Sequence, residues 1–279
     1  MAFLLHFARK NVRVCVGIAI VLTFVLMALI GYFIPNIEGN VSEAYQGPSS
    51  RHLLGTDYAG RDILLQIVKG ATDVLVISFL IALMTTSIGV IVGLTSGYVG
   101  GLIDSILTSI MNIILTIPSM PLLMVIASLI KMVPNPFVIA GILSSIGWAG
   151  QARAIRSQVL SIKEEEYIEA ARILGLRKIE ILFNEVLVAL LPYIAMNFIL
   201  SIISAIYSQV GMYYLGVLPF SSYNWGMMMN IARSHGNALW CPSTVMYLVG
   251  PMVCIVLLAQ GFTMLLPLID LLNPRLREE

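Results

Sequence analysis

Six stretches of this chain contain no Asp, Glu, Lys or Arg: residues 14–34, 74–103, 105–130, 132–152, 186–232 and 234–269. Crossing a bilayer takes roughly 20 apolar residues. Every run meets that length, and only His235 interrupts the last. The polar sequence left over is too scattered for a soluble core, which agrees with 58% hydrophobic and 11% charged residues and a mean hydropathy of +0.92. The expected fold is an all-α integral membrane protein with six transmembrane helices, near 12–34, 74–98, 105–130, 134–151, 186–210 and 243–268. The first run follows His6, Arg9, Lys10 and Arg13 and ends at Tyr32-Phe33-Ile34-Pro35 with no small-residue cleavage site, so it is expected to remain as an anchor.

Basic residues set the orientation. With the N-terminus in the cytoplasm, Arg9, Lys10, Arg13, Arg153, Arg156, Lys163, Arg172, Arg177, Lys178, Arg275 and Arg277 lie inside, 11 of the 16 cations, whereas the reverse leaves five. Both termini and the loop 152–185 are therefore expected to be cytoplasmic. Residues 1–73 then form an N-terminal anchor span and an extracytoplasmic amphipathic segment, and 74–279 form the main transmembrane domain, which that loop interrupts.

Inside the loop, EEEYIEAARILG at 164–175 is a strongly charged helix in an otherwise apolar protein. Ser161 and Glu164 have capping-box spacing, acids crowd the first turn, Arg172 lies near the end, and Gly175 can supply a left-handed stop. Tyr167, Ala171 and Leu174 recur at i, i+4 and i+7 beside the small Ala170, forming an apolar stripe that another surface can approach. A helix of this kind is suited to docking.

Two expected spans carry polar stripes at helical spacing. Ser105, Ser109, Asn112 and Thr116 share one face of the third, and Asn197, Ser201, Ser204 and Ser208 one face of the fifth. Such groups either line a path or join helices in lipid. Gly89, Gly93 and Gly97 read as a close-packing face. Thr56 and Asp57 are placed to cap a helix over 58–69 with Ile63, Leu64, Ile67 and Val68 on its apolar side, either a brace for the bundle or a surface for an external protein. Tyr213, Tyr214, Phe220, Tyr223, Trp225 and Trp240 flank the outer ends of spans five and six, as an interfacial belt or as rings that stack on a sugar.

The order of residues in the loop adds to this. GQARAIRSQVLSIKEEEYIEAARILGLRKIEIL, followed by LLP ending at Pro192, resembles the EAA loop of ABC importer permeases, and Glu169, Ala170, Ala171 and Gly175 match its motif residue by residue. HLLGTDYAGRD at 52–62, SGYVGGLID at 96–104, YYLGV at 213–217, NWGMMM at 224–229 and NPRLR at 273–277 are similar to the C-type subunit of the dipeptide, oligopeptide and nickel branch. Val188 departs from the pattern, standing where the family often has a proline that bends the chain into span five. The resemblance implies a type I ABC importer permease fold in the cell (plasma or inner) membrane. Tyr167, Glu169, Ala170, Ala171, Leu174 and Gly175 would form a coupling helix seated in a groove of a separate ATPase. The implied partners are a homologous B-type permease subunit, two ABC ATPase subunits that bind ATP and Mg, and an extracytoplasmic substrate-binding protein. Ser109, Asn112, Thr116, Asn197, Ser201, Ser204 and Ser208 become candidates for half of a translocation path, and the cargo would be a peptide, an oligosaccharide or a metal chelate.

Other classes find less support. Cys15, Cys241 and Cys254 are scattered, as are His6, His52 and His235, so neither a metal site nor a catalytic site is expected. A net charge of +1 offers nothing to nucleic acid. No G-x-x-x-x-G-K-[ST] phosphate loop is present, and Gly175-Leu176-Arg177-Lys178 lacks its spacing, so no cofactor is expected on this chain and ATP hydrolysis falls to partners. An ion-coupled secondary carrier or an intramembrane enzyme would need ionisable groups within the spans, but Asp73, Asp104 and Lys131 fall at span ends.

Overall fold

Caps and breakers, more than the ends of the apolar runs, set the helix boundaries. A computed structural model describes residues 12–129, 135–221, 223–235 and 244–272. Helix α1 spans Val12–Phe33, α2 Ile63–Val99, α3 Gly101–Thr116, α4 Ser119–Leu129 and α5 Pro136–Ile162. Two short helices follow, α6 at Glu166–Ile173 and α7 at Lys178–Ile181. A π turn at Leu182–Val186 leads into α8 (Leu187–Tyr214), and α9 (Trp225–Ser234) and α10 (Val245–Thr263) follow.

Several boundaries differ from those expected. α2 begins at Ile63, where the Asp62 carboxylate accepts the Leu65 amide at 3.0 Å, and runs on through Asp73 for 37 residues. The polar residues of its first turns do not end it because they are already paired. Gln66 Nε2 donates to Asp57 Oδ2 at 3.1 Å, and Lys69 Nζ donates to the Pro35 carbonyl at 2.8 Å. A helix over 58–69 capped by Thr56 and Asp57 therefore does not form, although Ile63 and Ile67 are buried as expected. The domain boundary placed after residue 73 falls inside α2.

The single span expected over 105–130 is two helices, bent by 87°. Pro118 causes the break, since its ring excludes the helical conformation from the residue before it, and Ile117 is extended at φ −84°, ψ 128°. α5 starts where the Asn135 side chain accepts the Phe137 amide at 2.9 Å with Pro136 in the first turn, and it continues to Ile162, well past the expected end at 151. At Val188, the departure from the resembled pattern, the chain stays helical from Lys178 to Tyr214, with the π turn just before that point.

Among the described residues, α1, α2, the run Lys178–Tyr214 and the run Val245–Ile269 are long and apolar enough to cross a membrane, and the bent α3–α4 pair is a fifth if it counts as one span. α5 has the length, at 27 residues, but carries Ser144, Ser145, Gln151, Arg153 and Arg156.

α2 is the hub, packing on α1, α5 and α8. Gly89, Gly93 and Gly97 do form a close-packing face, against α5. A Cβ on Gly93 would lie 2.7 Å from the Ala152 carbonyl oxygen and 2.8 Å from Ile155 Cβ, and one on Gly97 would lie 2.8 Å from Val159 Cβ. Lipid supplies no hydrophobic drive between helices, so such close approach is what holds them. Gly93→Val is expected to cost about 1–3 kcal/mol by overpacking. It should lower the thermal midpoint of the purified protein in detergent; an unchanged midpoint would mean that α2 and α5 are not in this contact.

The aromatic belt also needs correction. Trp225 is wholly buried, donating Nε1–H to the Ile67 carbonyl at 3.0 Å and meeting Phe24 edge-on, and Tyr213 is buried as well. Phe220 remains exposed, Tyr214 and Tyr223 are half-buried, and Trp240 lies outside the described residues. Tyr213 and Trp225 thus join the α2, α8 and α9 helices as core.

Candidate coupling helix and translocation groove

α6 is entered and left by two tight turns. Because α5 runs through Ser161, the capping box with Glu164 is not made; the Glu164 and Glu165 amides instead donate to the Ser161 and Ile162 carbonyls at 3.2 and 3.1 Å. Glu165 occupies the N-cap, and Glu166 and Glu169 lie in the first turn, at the positive end of the helix. At the other end Gly175 has φ +81°. Its amide donates to the Arg172 carbonyl at 3.0 Å and that of Leu176 to the Ala171 carbonyl at 3.2 Å, the two bonds of a Schellman stop.

The helix divides the expected stripe between two faces. Ile168 and Ala171 are buried in a cluster with Ile155, Val159, Ile181 and Leu190, and Tyr167 packs at its edge. Ile173 and Leu174 are each 80% exposed, and Glu169, Ala170 and Gly175 share that open side. Ala171 therefore seats α6 on its own protein and is not available to an outside surface. At 3.6 residues per turn, Glu169, Ala170 and Ile173 point away from Ile168.

Further bonds tie the loop to the bundle. The Arg156 guanidinium grips Asp104 in a fork, Nε to Oδ1 at 2.6 Å and Nη2 to Oδ2 at 2.7 Å, while Ser96 and Thr108 hydroxyls also donate to Asp104. The Tyr98 hydroxyl donates to the Lys178 carbonyl at 2.7 Å. The α2–α3 turn, α5 and the start of α7 are thus bonded to one another, and α6 packs on α5, α7 and α8 through the cluster of Ile155, Val159, Ile168, Ala171, Ile181 and Leu190. Sequence reading did not assign Asp104 and Arg156 to each other, since 52 residues separate them.

Of the two polar stripes, the one on α8 lines a groove. Ser201, Ser204 and Ser208 face Thr85 of α2 and Gly147 of α5 across a cavity of ≈ 100 Å³. Ser201 Oγ lies 3.4 Å from Gln151 Oε1, and Gln151 Nε2 donates to Thr86 Oγ1 at 3.1 Å. Asn197 donates to the Tyr193 carbonyl of its own helix at 2.9 Å. On α3, Ser109 and Thr116 bond back to the Ser105 and Asn112 carbonyls at 2.8 Å, Asn112 accepts from Arg153, and the stripe is exposed. The two stripes flank α5. Gln151, Thr85 and Thr86 escaped the sequence reading, although a glutamine inside an apolar run was itself a signal. Among the described residues no His, Cys, Asp and Glu group could hold a metal. His235 ends α9, its ring 6.0 Å from that of Tyr58, beside the 52–62 segment and away from any span centre.

Residues 89–278, which hold α6, the Asp104–Arg156 fork and the serine stripe of α8, match the family described as "Binding-protein-dependent transport system inner membrane component". The chain belongs to that family. Within this permease family it is 33% identical over 280 residues to the dipeptide transport system permease protein DppC of Bacillus subtilis, covering 96% of this chain and 84% of the relative. It is 31% identical over 224 residues to the oligopeptide transport system permease protein OppC of the same organism, covering 79% and 73%. The DppC of Alkalihalophilus pseudofirmus is also 31% identical, over 96% of this chain and 88% of its own length. The protein is a multi-pass ABC importer permease of the dipeptide/oligopeptide branch.

Proposed function

We propose that this permease forms half of the path by which an ATP-driven importer takes up peptides delivered by an extracytoplasmic binding protein. In this reading the chain has six spans, α5 being the fourth, with both ends and α6 in the cytoplasm of the cell membrane. A homologous B-type permease completes the path. Two ATPase subunits, which bind ATP and Mg, dock on Glu169, Ala170, Ile173, Leu174 and Gly175. The observation that carries the reading is the open apolar face of α6, formed by Ile173 and Leu174 on a charged helix in a chain without a phosphate loop. Peptide cargo is the choice that the names of the relatives support. The serine groove then lines the path, with neutral hydroxyls suited to zwitterionic cargo.

Uptake of labelled di- and oligopeptides by vesicles holding both permeases, the ATPases and the binding protein tests this. ATP-dependent accumulation is expected; accumulation under an ion gradient without the ATPases would instead establish a secondary carrier. Cysteines at Ser201, Ser204 and Ser208 should change in reactivity between nucleotide-free and ATP-trapped complexes. Constant reactivity at all three would make the stripe a packing surface. For orientation, a cysteine at Arg51 should be labelled from outside intact cells and one at Ser161 should not, once native cysteines are replaced; labelling of Ser161 from outside would reverse the topology.

A further inference from the structure

A second cavity, of ≈ 600 Å³, lies at the α6 end of the bundle, lined by Tyr98, Val99, Lys163, Arg172, Lys178, Ile179 and Leu182. Three cations converge on it and no acid lines it. Among the described residues, none of the three is in a salt bridge with a carboxylate. Lys163 Nζ donates to the Gly97 and Tyr98 carbonyls at 3.2 and 3.3 Å, at the C-terminal end of α2, which leaves part of its donor capacity open. Tyr98, whose hydroxyl is spent on the Lys178 carbonyl, pins the wall.

Its place in the fold decides what it can hold. Val99 is the last residue of one membrane-crossing helix, and Lys178 the first of another helical run long enough to cross. The cavity therefore lies at the α6 end of two membrane-crossing runs, on the side of the loop 152–185. Its rim is amphipathic, with Val99 56% and Ile179 68% exposed beside the cations. Cations over an apolar rim match a molecule with an anionic phosphate head and an apolar body.

We propose that this cavity is a binding site for the phosphate headgroup of an anionic phospholipid in the leaflet facing α6. Lys163, Arg172 and Lys178 take the phosphate, and Val99 and Ile179 lie against the start of the acyl chains. Because Arg172 belongs to α6 and Lys163 to the turn before it, lipid occupancy braces the helix proposed to couple the spans to the ATPases. The site does not depend on the nature of the cargo, and its binding test does not require transport.

The test is native mass spectrometry of the whole purified transporter after exchange into phosphatidylglycerol, phosphatidylcholine, or phosphatidylglycerol with millimolar inorganic phosphate. Retention of phosphatidylglycerol over phosphatidylcholine is expected, falling about tenfold or more in the Lys163→Gln/Arg172→Gln/Lys178→Gln variant. If the triple variant does not assemble, Lys178→Gln and Arg172→Gln alone should each show a smaller loss in the same direction. Equal retention of the two lipids, or unchanged retention in the variants, would overturn the proposal. So would displacement of the lipid by inorganic phosphate, which would identify a soluble-anion site. Retention on the isolated permease pair but not on the whole transporter would assign the cavity to the ATPase contact and overturn it as well.

Discussion

A Leu174→Asp variant is expected to assemble in the membrane, fail to retain the ATPase subunits and lose ATP-driven uptake. Leu174 is 80% exposed and caps α6 just before Gly175, so the substitution removes no internal packing. On the proposed reading the side chain is buried only when an ATPase covers it. An aspartate there would be desolvated without a partner and would sit at the negative end of the helix, unfavourable on both counts. Loss of a central interface anchor costs about 2 kcal/mol or more, roughly thirtyfold in attachment. Co-purification of the ATPases and uptake in vesicles give the readout; wild-type values for both would leave α6 as a solvated loop. Two neighbouring substitutions separate docking from support. Ala171→Trp should overfill the cluster with Ile168 and Ile155, at about 1–3 kcal/mol, and loosen α6 from its own protein. Gly175→Val meets no neighbour, but it forces a β-branched residue to φ +81°, costing about 1 kcal/mol or more. A lower thermal midpoint should thus mark Ala171→Trp and not Leu174→Asp.

The largest loss of stability is expected from Asp57→Ala. Asp57 is 1% exposed. Its Oδ1 accepts the amides of Ala59 and Arg61, both at 2.9 Å, and its Oδ2 accepts Arg61 Nε at 2.8 Å and Gln66 Nε2 at 3.1 Å. Removing the carboxylate leaves four donors without their acceptor and Arg61, itself largely buried, without its counter-ion. Breaking one side of a buried pair costs about 3–5 kcal/mol, because the remaining charge stays desolvated. The damage should spread beyond the turn, since Gln66 lies in α2 and the Tyr247 hydroxyl of α10 is 3.5 Å from its Oε1. A drop in the thermal midpoint of the detergent-purified transporter is the expected result, with partial recovery in Asp57→Ala/Arg61→Ala. A midpoint equal to wild type in Asp57→Ala would refute the account of this turn.

What the chain determines by itself is whatever depends on one residue and its near neighbours. A charge in hydrocarbon is costly whatever surrounds it, so the charge-free runs revealed a membrane protein, and the EAA loop its family, before any contact was known. The left-handed Gly175 was legible for the same reason, because only local backbone sterics select it. Partners distant in sequence decided the rest. Asp73 appeared to bound a span and Lys69 to end a separate helix, yet α2 passes through both, since Ser221 bonds to Asp73 across 148 residues and Pro35 accepts from Lys69. Ala171 and Leu174 lay on one expected stripe, but only the position of Ile155 and Ile181 made one of them core and left the other open. Ser201 and Gln151 meet from different helices, and Arg156 finds Asp104 from another. A polar side chain tolerates burial only beside its complement, and which complement it meets is a property of the packed fold alone.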